Sequence, residues 1–314
     1  WRPGAALVLT VLGAFALAML WPFAQLEARG QPLAGWGAAA WVLFAAFCLR
    51  SLACLRAGNG AAVRWVHGAW WLLWPVLLSV SAWELARSLA LGGGWRLALA
   101  ALPWLLLLAL LLYRGSWLRW PLDAAGATRS VLAGLAMGVA GAAWLVALGH
   151  AGASAPLPWL PLLNPLDLVQ LATLALFARW LWSPLAPPAA VRARVALLSI
   201  AAVALVTCIT LRGVHHWGGV GWSRAMWSTS LAQTALTLVW SVLGVAGWIA
   251  GSRRGQRALW LAGAVLMGVV LAKLVLFDRQ HLGDLLGIGS FIGYGLLCTL
   301  VGWFAPAPPR AAVP

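Results

Sequence analysis

The chain has 314 residues, of which 63% are hydrophobic and 9% are charged, and its formal net charge is +15. A soluble domain carries a far larger charged fraction, so this composition excludes a soluble globular fold and favours bundled membrane helices. The net charge alone could indicate a nucleic-acid partner. However, the arginines lie in short loops between apolar runs, where they are a topology signal, and we expect no nucleic-acid binding.

The apolar runs are continuous, which excludes a membrane β-barrel because its strands alternate apolar and polar residues. They predict an all-α, polytopic transmembrane helical bundle of about ten spans. In chain order the predicted spans are 4–23, 35–55, 65–88, 96–113, 129–149, 165–183, 193–211, 228–250, 258–277 and 288–305. The glycine pairs Gly134/Gly138, Gly247/Gly251 and Gly289/Gly293 suit close helix packing.

The first residue is not methionine, and an apolar run begins by Gly4 without a charged leader before it. We therefore expect residues 1–314 to form a single transmembrane helical domain that is the C-terminal part of a longer protein.

Basic residues are shared unevenly between the two ends of the predicted spans. If the loops alternate between two sides, the side that holds both termini has 14 of the 21 basic residues and the opposite side has 6, with Lys273 set aside. The positive-inside rule then predicts a multi-pass protein of the bacterial inner (cytoplasmic) membrane with both termini cytoplasmic. Five of the six acidic residues lie on or near the opposite, periplasmic side.

The segment 150–170, HAGASAPLPWLPLLNPLDLVQ, joins the fifth and sixth predicted spans. Its four prolines prevent a continuous helix, and its apolar composition predicts that it lies against the bundle or dips into it. Asn164, Pro165 and Asp167 match the N-cap, first and third positions of the sixth span. Asp167 either caps this helix only or contributes to a site together with Gln170.

Polar side chains follow one face of the eighth span at spacings of three and four residues. They are Ser230, Gln233, Thr234, Thr237 and Ser241. Such a stripe either bonds neighbouring helices or lines a polar cavity. Glu84 in the third span lies in the same, periplasmic half.

The segment 211–227, LRGVHHWGGVGWSRAMW, is predicted to be a loop. His215 and His216 are adjacent and do not share a helix face, and no HxxxH or CxxC spacing is present, so we expect no metal. The chain has no P-loop and no GxGxxG at a strand–helix junction, and we expect no cofactor. Glycines beside Arg212 and Arg224 could hold an anion such as a phosphate or a lipid headgroup. A plain interfacial loop is the alternative.

Lys273 is the only lysine and lies within an apolar run. An ionisable group at that depth costs several kcal/mol unless it pairs or reaches the interface, which makes it a functional candidate. Lys273 either snorkels, pairs with Glu84 or Asp167 from another helix, or contacts a substrate. Asp278 is five residues further on, about 140° around the helix, and is poorly placed to pair with it.

The run RALWLAGAVLMGVVLAKLVLFD and the later GIGSFIGYGLL, with PLLNPLDLVQ and LAQTALTLVW upstream, resemble the bacterial predicted membrane proteins of domain of unknown function family 2339. The resemblance covers most of the chain and is strongest from Leu157 onward. It implies a many-span inner-membrane protein, usually longer at its N-terminus, without an established activity. The positions carried over are Asn164, Pro165, Asp167, Lys273, Asp278, Ser290 and Phe291. This chain has GIGSF where the family pattern would place an arginine shortly before SF.

We interpret these features as a polar intramembrane site that opens to the periplasmic side. Lys273 would neutralise a substrate anion while Asp167 or Glu84 acts as a base. The predicted substrate-binding residues are Gln170, His215, His216, Arg224, Gln233, Thr237 and Asp278. The expected partners are membrane lipids, with an envelope lipid or lipid-linked glycan as the ligand. The alternatives are a transporter of a small solute and a structural or scaffolding protein without catalysis.

Overall fold

The computed structural model describes residues 3–27, 30–55, 61–120, 127–276, 292, 294–299, 302–305 and 307. The described residues form helices, turns and connecting segments, which confirms the all-α prediction. In chain order the helices are α1 (Pro3–Glu27), α2 (Trp36–Leu55), α3 (Ala61–Ser88), α4 (Gly93–Tyr113), α5 (Ala127–Leu148), α6 (Pro165–Leu181), α7 (Pro188–Arg192), α8 (Arg194–Gly218), α9 (Ser230–Arg253) and α10 (Arg257–Leu276). Short 3-10 turns occur at Trp117–Arg119 and Arg224–Ser228.

Seven described helices are long and apolar enough to cross a membrane. They are α2, α3, α4, α5, α8, α9 and α10. In α1 the apolar part is the shorter run Leu9–Gln25. The helix α6 has 17 residues and carries Asp167 and Arg179. The predicted span 288–305 falls largely outside the described residues, so the total of about ten spans stays a prediction.

The end of α8 differs from the prediction. The helix continues past 211 to Gly218, so Arg212, His215 and His216 are helical and the expected loop over these residues is wrong. The polar residues lower the local hydropathy without breaking the helix. Termination comes at Gly219, whose φ of 66° is left-handed, a conformation that glycine adopts without steric cost.

The chain divides into two compact units, Trp1–Val191 and Arg192–Pro314. In the first unit, α4 contacts α3, α5 and α6 and occupies the centre. The helices α1, α2 and α3 enclose a core rich in aromatic and aliphatic side chains, including Phe15, Trp41 and Trp70.

The proline-rich segment before α6 packs on the N-terminus of α4, as predicted from its composition. The Gly92 N–H donates to the Ala155 carbonyl at 2.9 Å, and the Gly94 N–H donates to the Ala153 carbonyl at 2.9 Å. The Trp95 indole N–H donates to the Ser154 carbonyl at 3.0 Å. The first N–H groups of a helix have no acceptors within the helix, so these loop carbonyls satisfy them.

In the second unit, α8 and α10 both pack on α9. Glycines permit the close approach of α9 and α10: a Cβ on Gly247 would lie 3.4 Å from the Gly263 Cα, and one on Gly251 would overlap the Trp260 backbone. The packing role predicted for Gly247 and Gly251 is thus confirmed. A Cβ added to Gly134 or Gly138 would have no described atom within 4 Å. Among the described residues, these two glycines therefore form no close contact with another helix. The pair Gly289/Gly293 lies outside the described residues.

Candidate functional site

The side chain of Lys273, on α10, reaches two successive turns of α9. Its Nζ donates to the Gln233 carbonyl at 3.1 Å and to the Thr237 hydroxyl at 2.6 Å. The residue is only 9% exposed. Because Gln233 and Thr237 are four residues apart, both oxygens lie on the face of α9 that meets α10. Three of the residues predicted for the site are thereby brought together.

The side chain of Gln233 completes this polar cluster. Its Nε2 donates to the Trp227 carbonyl, which ties the start of α9 to the preceding 3-10 turn. Its Oε1 is buried and accepts no hydrogen bond from the residues that the structure describes. A buried amide oxygen without a donor costs free energy, so this acceptor is available to a ligand that carries a donor.

A pocket of about 610 Å³ lies beside the cluster. Arg224, Gln233 and Lys273 line it near the start of α9 and the end of α10, and Trp240 and Val269 line it nearer the middle of these helices. The charged lining side chains are thus those near the helix ends, and the lining toward the middle of the helices is apolar. Such a pocket suits an amphipathic ligand with a negatively charged head.

Trp240 also joins two helices of this unit. Its indole N–H donates to the Thr207 hydroxyl of α8 at 2.9 Å, and Thr207 itself donates to the Val203 carbonyl at 2.6 Å. The indole is therefore held in place at the apolar end of the pocket.

We expect a double-mutant cycle of Trp240→Phe and Thr207→Val to give a coupling free energy of roughly 0.6 kcal/mol, the usual value for a hydrogen bond between membrane helices. Each single variant should lower the unfolding free energy measured by denaturation in mixed detergent micelles. Strictly additive single effects would contradict the hydrogen bond.

The two histidines of α8 face the turn that follows the helix. The Nδ1 of His215 is 2.7 Å from the Val220 carbonyl, and the ring centroids of His215 and His216 are 4.6 Å apart. Neither histidine is among the described residues that line the pocket. Their predicted role in substrate binding stays a prediction.

Arg212, predicted to lie in a loop beside glycines that could hold an anion, is part of a helix instead. It lies in α8 and is 0% exposed. A guanidinium at that depth needs acceptors for its donors, because desolvation of an unmatched charge costs several kcal/mol. The burial of Arg212 could have been predicted from its spacing. Leu205, Ile209 and Arg212 follow the buried face of α8 at intervals of four and three residues.

Glu84 belongs to the first unit and pairs within its own helix. Its Oε2 accepts from Arg87 Nε at 2.7 Å and Nη2 at 2.6 Å. The buried hydroxyls of Ser79 and Ser81, earlier on the same helix, have no hydrogen-bond partner among the described residues. The carboxylate is neutralised locally by a cation three residues away.

Asp167 also belongs to the first unit and is fully buried. Its Oδ2 accepts from the Leu162 N–H at 3.1 Å and from Asn164 Nδ2 at 2.5 Å. Its own N–H donates to Asn164 Oδ1 at 2.9 Å. Asn164 is therefore the N-cap of α6 and Asp167 its third residue, as predicted, and the carboxylate takes part in the cap.

Gln170, one turn into α6, bonds α5. Its Nε2 donates to the Trp144 carbonyl at 3.4 Å, and the Trp144 indole N–H donates to the Gln170 carbonyl at 3.2 Å. This reciprocal pair holds α5 and α6 together. The remaining predicted residue, Asp278, lies outside the described residues, as do Ser290 and Phe291.

Within the described part of the chain, no three His, Cys, Asp or Glu side chains are grouped to hold a metal ion. The family model described as "Predicted membrane protein (DUF2339)" matches residues 1–308. No curated protein and no solved structure matches the chain. The seven long apolar helices agree with the family's description as a membrane protein. The chain therefore belongs to the DUF2339 family of predicted membrane proteins.

Proposed function

We propose that the unit Arg192–Pro314 binds an anionic membrane lipid, with the headgroup at Lys273 and the chain in the apolar part of the pocket. The observation that carries this proposal is the position of the Lys273 ammonium. It is nearly buried, donates to two oxygens of α9 and lines a pocket whose lining is otherwise mostly apolar. An ionisable group held at this depth in a membrane helix is a functional candidate.

Arg224 supports the choice of an anion. It lines the same pocket as Lys273 and is exposed, so the entrance carries a second cation. A guanidinium and an ammonium together offer several donors to a phosphate, and such charge-assisted hydrogen bonds are the stronger ones.

The distribution of arginines in this unit supports an orientation. The opposite end of the helices carries most of the charge, on Arg192, Arg194, Arg253, Arg254 and Arg257. By the positive-inside rule that end is cytoplasmic, so the pocket opens toward the periplasmic face of a bacterial inner membrane. An envelope lipid or the lipid part of a lipid-linked glycan reaches the pocket from that leaflet.

The proposal concerns binding. The base role of Asp167 or Glu84 stays a prediction, since the hydrogen bonds of Asp167 serve the start of α6 and those of Glu84 join it to Arg87. Solute transport and pure scaffolding stay alternatives; the first predicts flux in proteoliposomes and the second predicts no lipid preference.

The test uses the full chain in nanodiscs of phosphatidylcholine with increasing phosphatidylglycerol, with bound lipid counted by native mass spectrometry. Lys273→Met should weaken binding of phosphatidylglycerol by at least about tenfold, because a hydrogen bond to a charged group is worth roughly 1.5–3 kcal/mol. Arg224→Gln should weaken it less, since this side chain is exposed.

The matched control is Arg253→Gln, which removes an exposed cation at the other end of the same unit. It should bind phosphatidylglycerol as the unaltered protein does. Equal binding of phosphatidylcholine and phosphatidylglycerol by the unaltered protein would refute the proposal, as would full binding by both Lys273→Met and Arg224→Gln. Melting temperatures of all variants separate lost binding from lost fold.

A further inference from the structure

A second cavity of about 740 Å³ adjoins the Lys273 pocket within the unit Arg192–Pro314. It lies between α8 and α10, and Trp240 of α9 lines it. Trp240 and Val269 line both cavities, so the two meet at these side chains. Apart from Arg192 at its far end, the second cavity is lined by apolar and small residues.

The two cavities together follow a single face of α10. The lining positions recur every three or four residues along the helix: Ala258, Ala262, Val265, Val269, Ala272 and Leu276. The α8 wall has the same periodicity, through Val195, Ser199 and Val203. A spacing of three and four residues marks one side of a helix, so the cavities form one lengthwise groove.

Another face of α10 is already occupied. Met267, Val270 and Leu274 pack with Tyr294, and Gly263 approaches the backbone of α9. The described residues of the C-terminal segment therefore lie against that other face, and none of them lines the groove between α8 and α10.

The length of the groove decides the kind of chain that fills it. From Ala258 to Leu276 the helix rises about 27 Å at 1.5 Å per residue, close to the ~30 Å of a whole hydrocarbon core. A phospholipid chain reaches only the bilayer midplane, about 15 Å from the headgroup. From Lys273 to Ala258 the helix rises about 22 Å, so a lipid whose head lies at Lys273 needs a chain about one and a half times as long to occupy the groove to its far end.

From this match of length and charge we infer that the ligand is a polyprenyl phosphate, with its phosphate at Lys273 and Arg224 and its isoprenoid chain along α10 to the Arg192 end. The inference rests on the proposed binding of an anionic lipid and adds the class of lipid. The single anionic head suits the cations at one end of the groove, and the long apolar chain suits the Ala- and Val-lined wall, where van der Waals packing drives association.

The test varies the chain and keeps the headgroup. Farnesyl phosphate and undecaprenyl phosphate are titrated against the full chain in phosphatidylcholine nanodiscs, and binding is read by native mass spectrometry. Undecaprenyl phosphate should bind tighter by on the order of tenfold, because only its chain contacts the whole groove.

The matched variants are Ala262→Phe, which fills the groove, and Leu271→Phe, which adds the same ring to an exposed position of α10 outside it. Ala262→Phe should abolish the preference for the long chain while binding farnesyl phosphate normally, which also shows that the variant is folded. Leu271→Phe should keep the preference.

Three outcomes separate the two proposals. A preference for the long chain that Ala262→Phe removes supports the inference. Equal affinity for both phosphates in the unaltered protein, or a preference that Ala262→Phe leaves intact, overturns the inference while anionic-lipid binding stands. Failure of the unaltered protein to bind either phosphate overturns the inference, and binding that both Lys273→Met and Arg224→Gln leave unchanged overturns both proposals.

Discussion

Replacing Gly263 with leucine should destabilise the unit Arg192–Pro314 by at least about 3 kcal/mol, at the upper end of overpacking effects. A Cβ at this position would overlap the Trp248 backbone nitrogen and would lie 2.8 Å from the Gly244 carbonyl oxygen. These neighbours are backbone atoms of α9, which cannot rotate away as a side chain can. The helices must separate instead, and packing at interior density is lost along the whole contact.

Gly268→Leu is the matched control, because it adds the same side chain to an exposed glycine of α10 with nothing within 4 Å of an added Cβ. Thermal or denaturant unfolding in detergent micelles should show a large loss for Gly263→Leu and little change for Gly268→Leu. Gly263→Ala should already show much of the loss, since the Cβ alone overlaps α9. Equal stability of the Gly263 and Gly268 variants would mean that the two helices do not meet through these glycines.

The separation of α9 from α10 should also disturb the proposed lipid site. Lys273 lies nearly three turns beyond Gly263 on α10 and reaches Gln233 and Thr237 only because α9 and α10 are close. Gly263→Leu should therefore also reduce binding of anionic lipid, without any change to a residue that lines the pocket.

The parts of this fold that sequence reasoning predicts are those with local causes. Continuous apolar runs require helices, since a membrane offers backbone groups no other partners. The start of α6 is predicted by Asn164 and Pro165, because an N-cap needs only residues within one turn. The end of α8 was misjudged because Arg212 and the histidines suggested water exposure, whereas the helix ends only at its glycines.

The candidate site is predictable in part for the same reason. The spacing of Gln233 and Thr237 places both on one face of α9, but their contact with Lys273 depends on the register of α10 against α9. That register is set by the approach of Gly263 to Gly244 and Gly247. Contacts between helices depend on packing over many residues, so periodicity within one helix does not specify them.

Replacing Asn164 with alanine should destabilise the first unit by about 2–4 kcal/mol, the sum expected for a lost N-cap and a lost hydrogen bond to a charged group. Asn164 is buried, and its Oδ1 accepts from the Asp167 N–H at 2.9 Å. Its Nδ2 donates to the Leu160 carbonyl at 3.1 Å and to the Asp167 carboxylate at 2.5 Å. Alanine removes all three hydrogen bonds and leaves their partners within a folded segment that shields them from water.

A graded series separates these contributions. Asn164→Ser keeps an acceptor for the Asp167 N–H but loses the donor to its carboxylate, so its loss of unfolding free energy should fall between that of alanine and that of the unaltered protein. Leu163→Ala, at the exposed neighbouring position, should cost less than about 0.5 kcal/mol. Melting temperatures in detergent should fall in the order Leu163→Ala, Asn164→Ser, Asn164→Ala. If Asn164→Ala has the same melting temperature as Leu163→Ala, the cap contributes nothing to stability. The buried carboxylate of Asp167 then needs another explanation, and its predicted role as a base is the first to test.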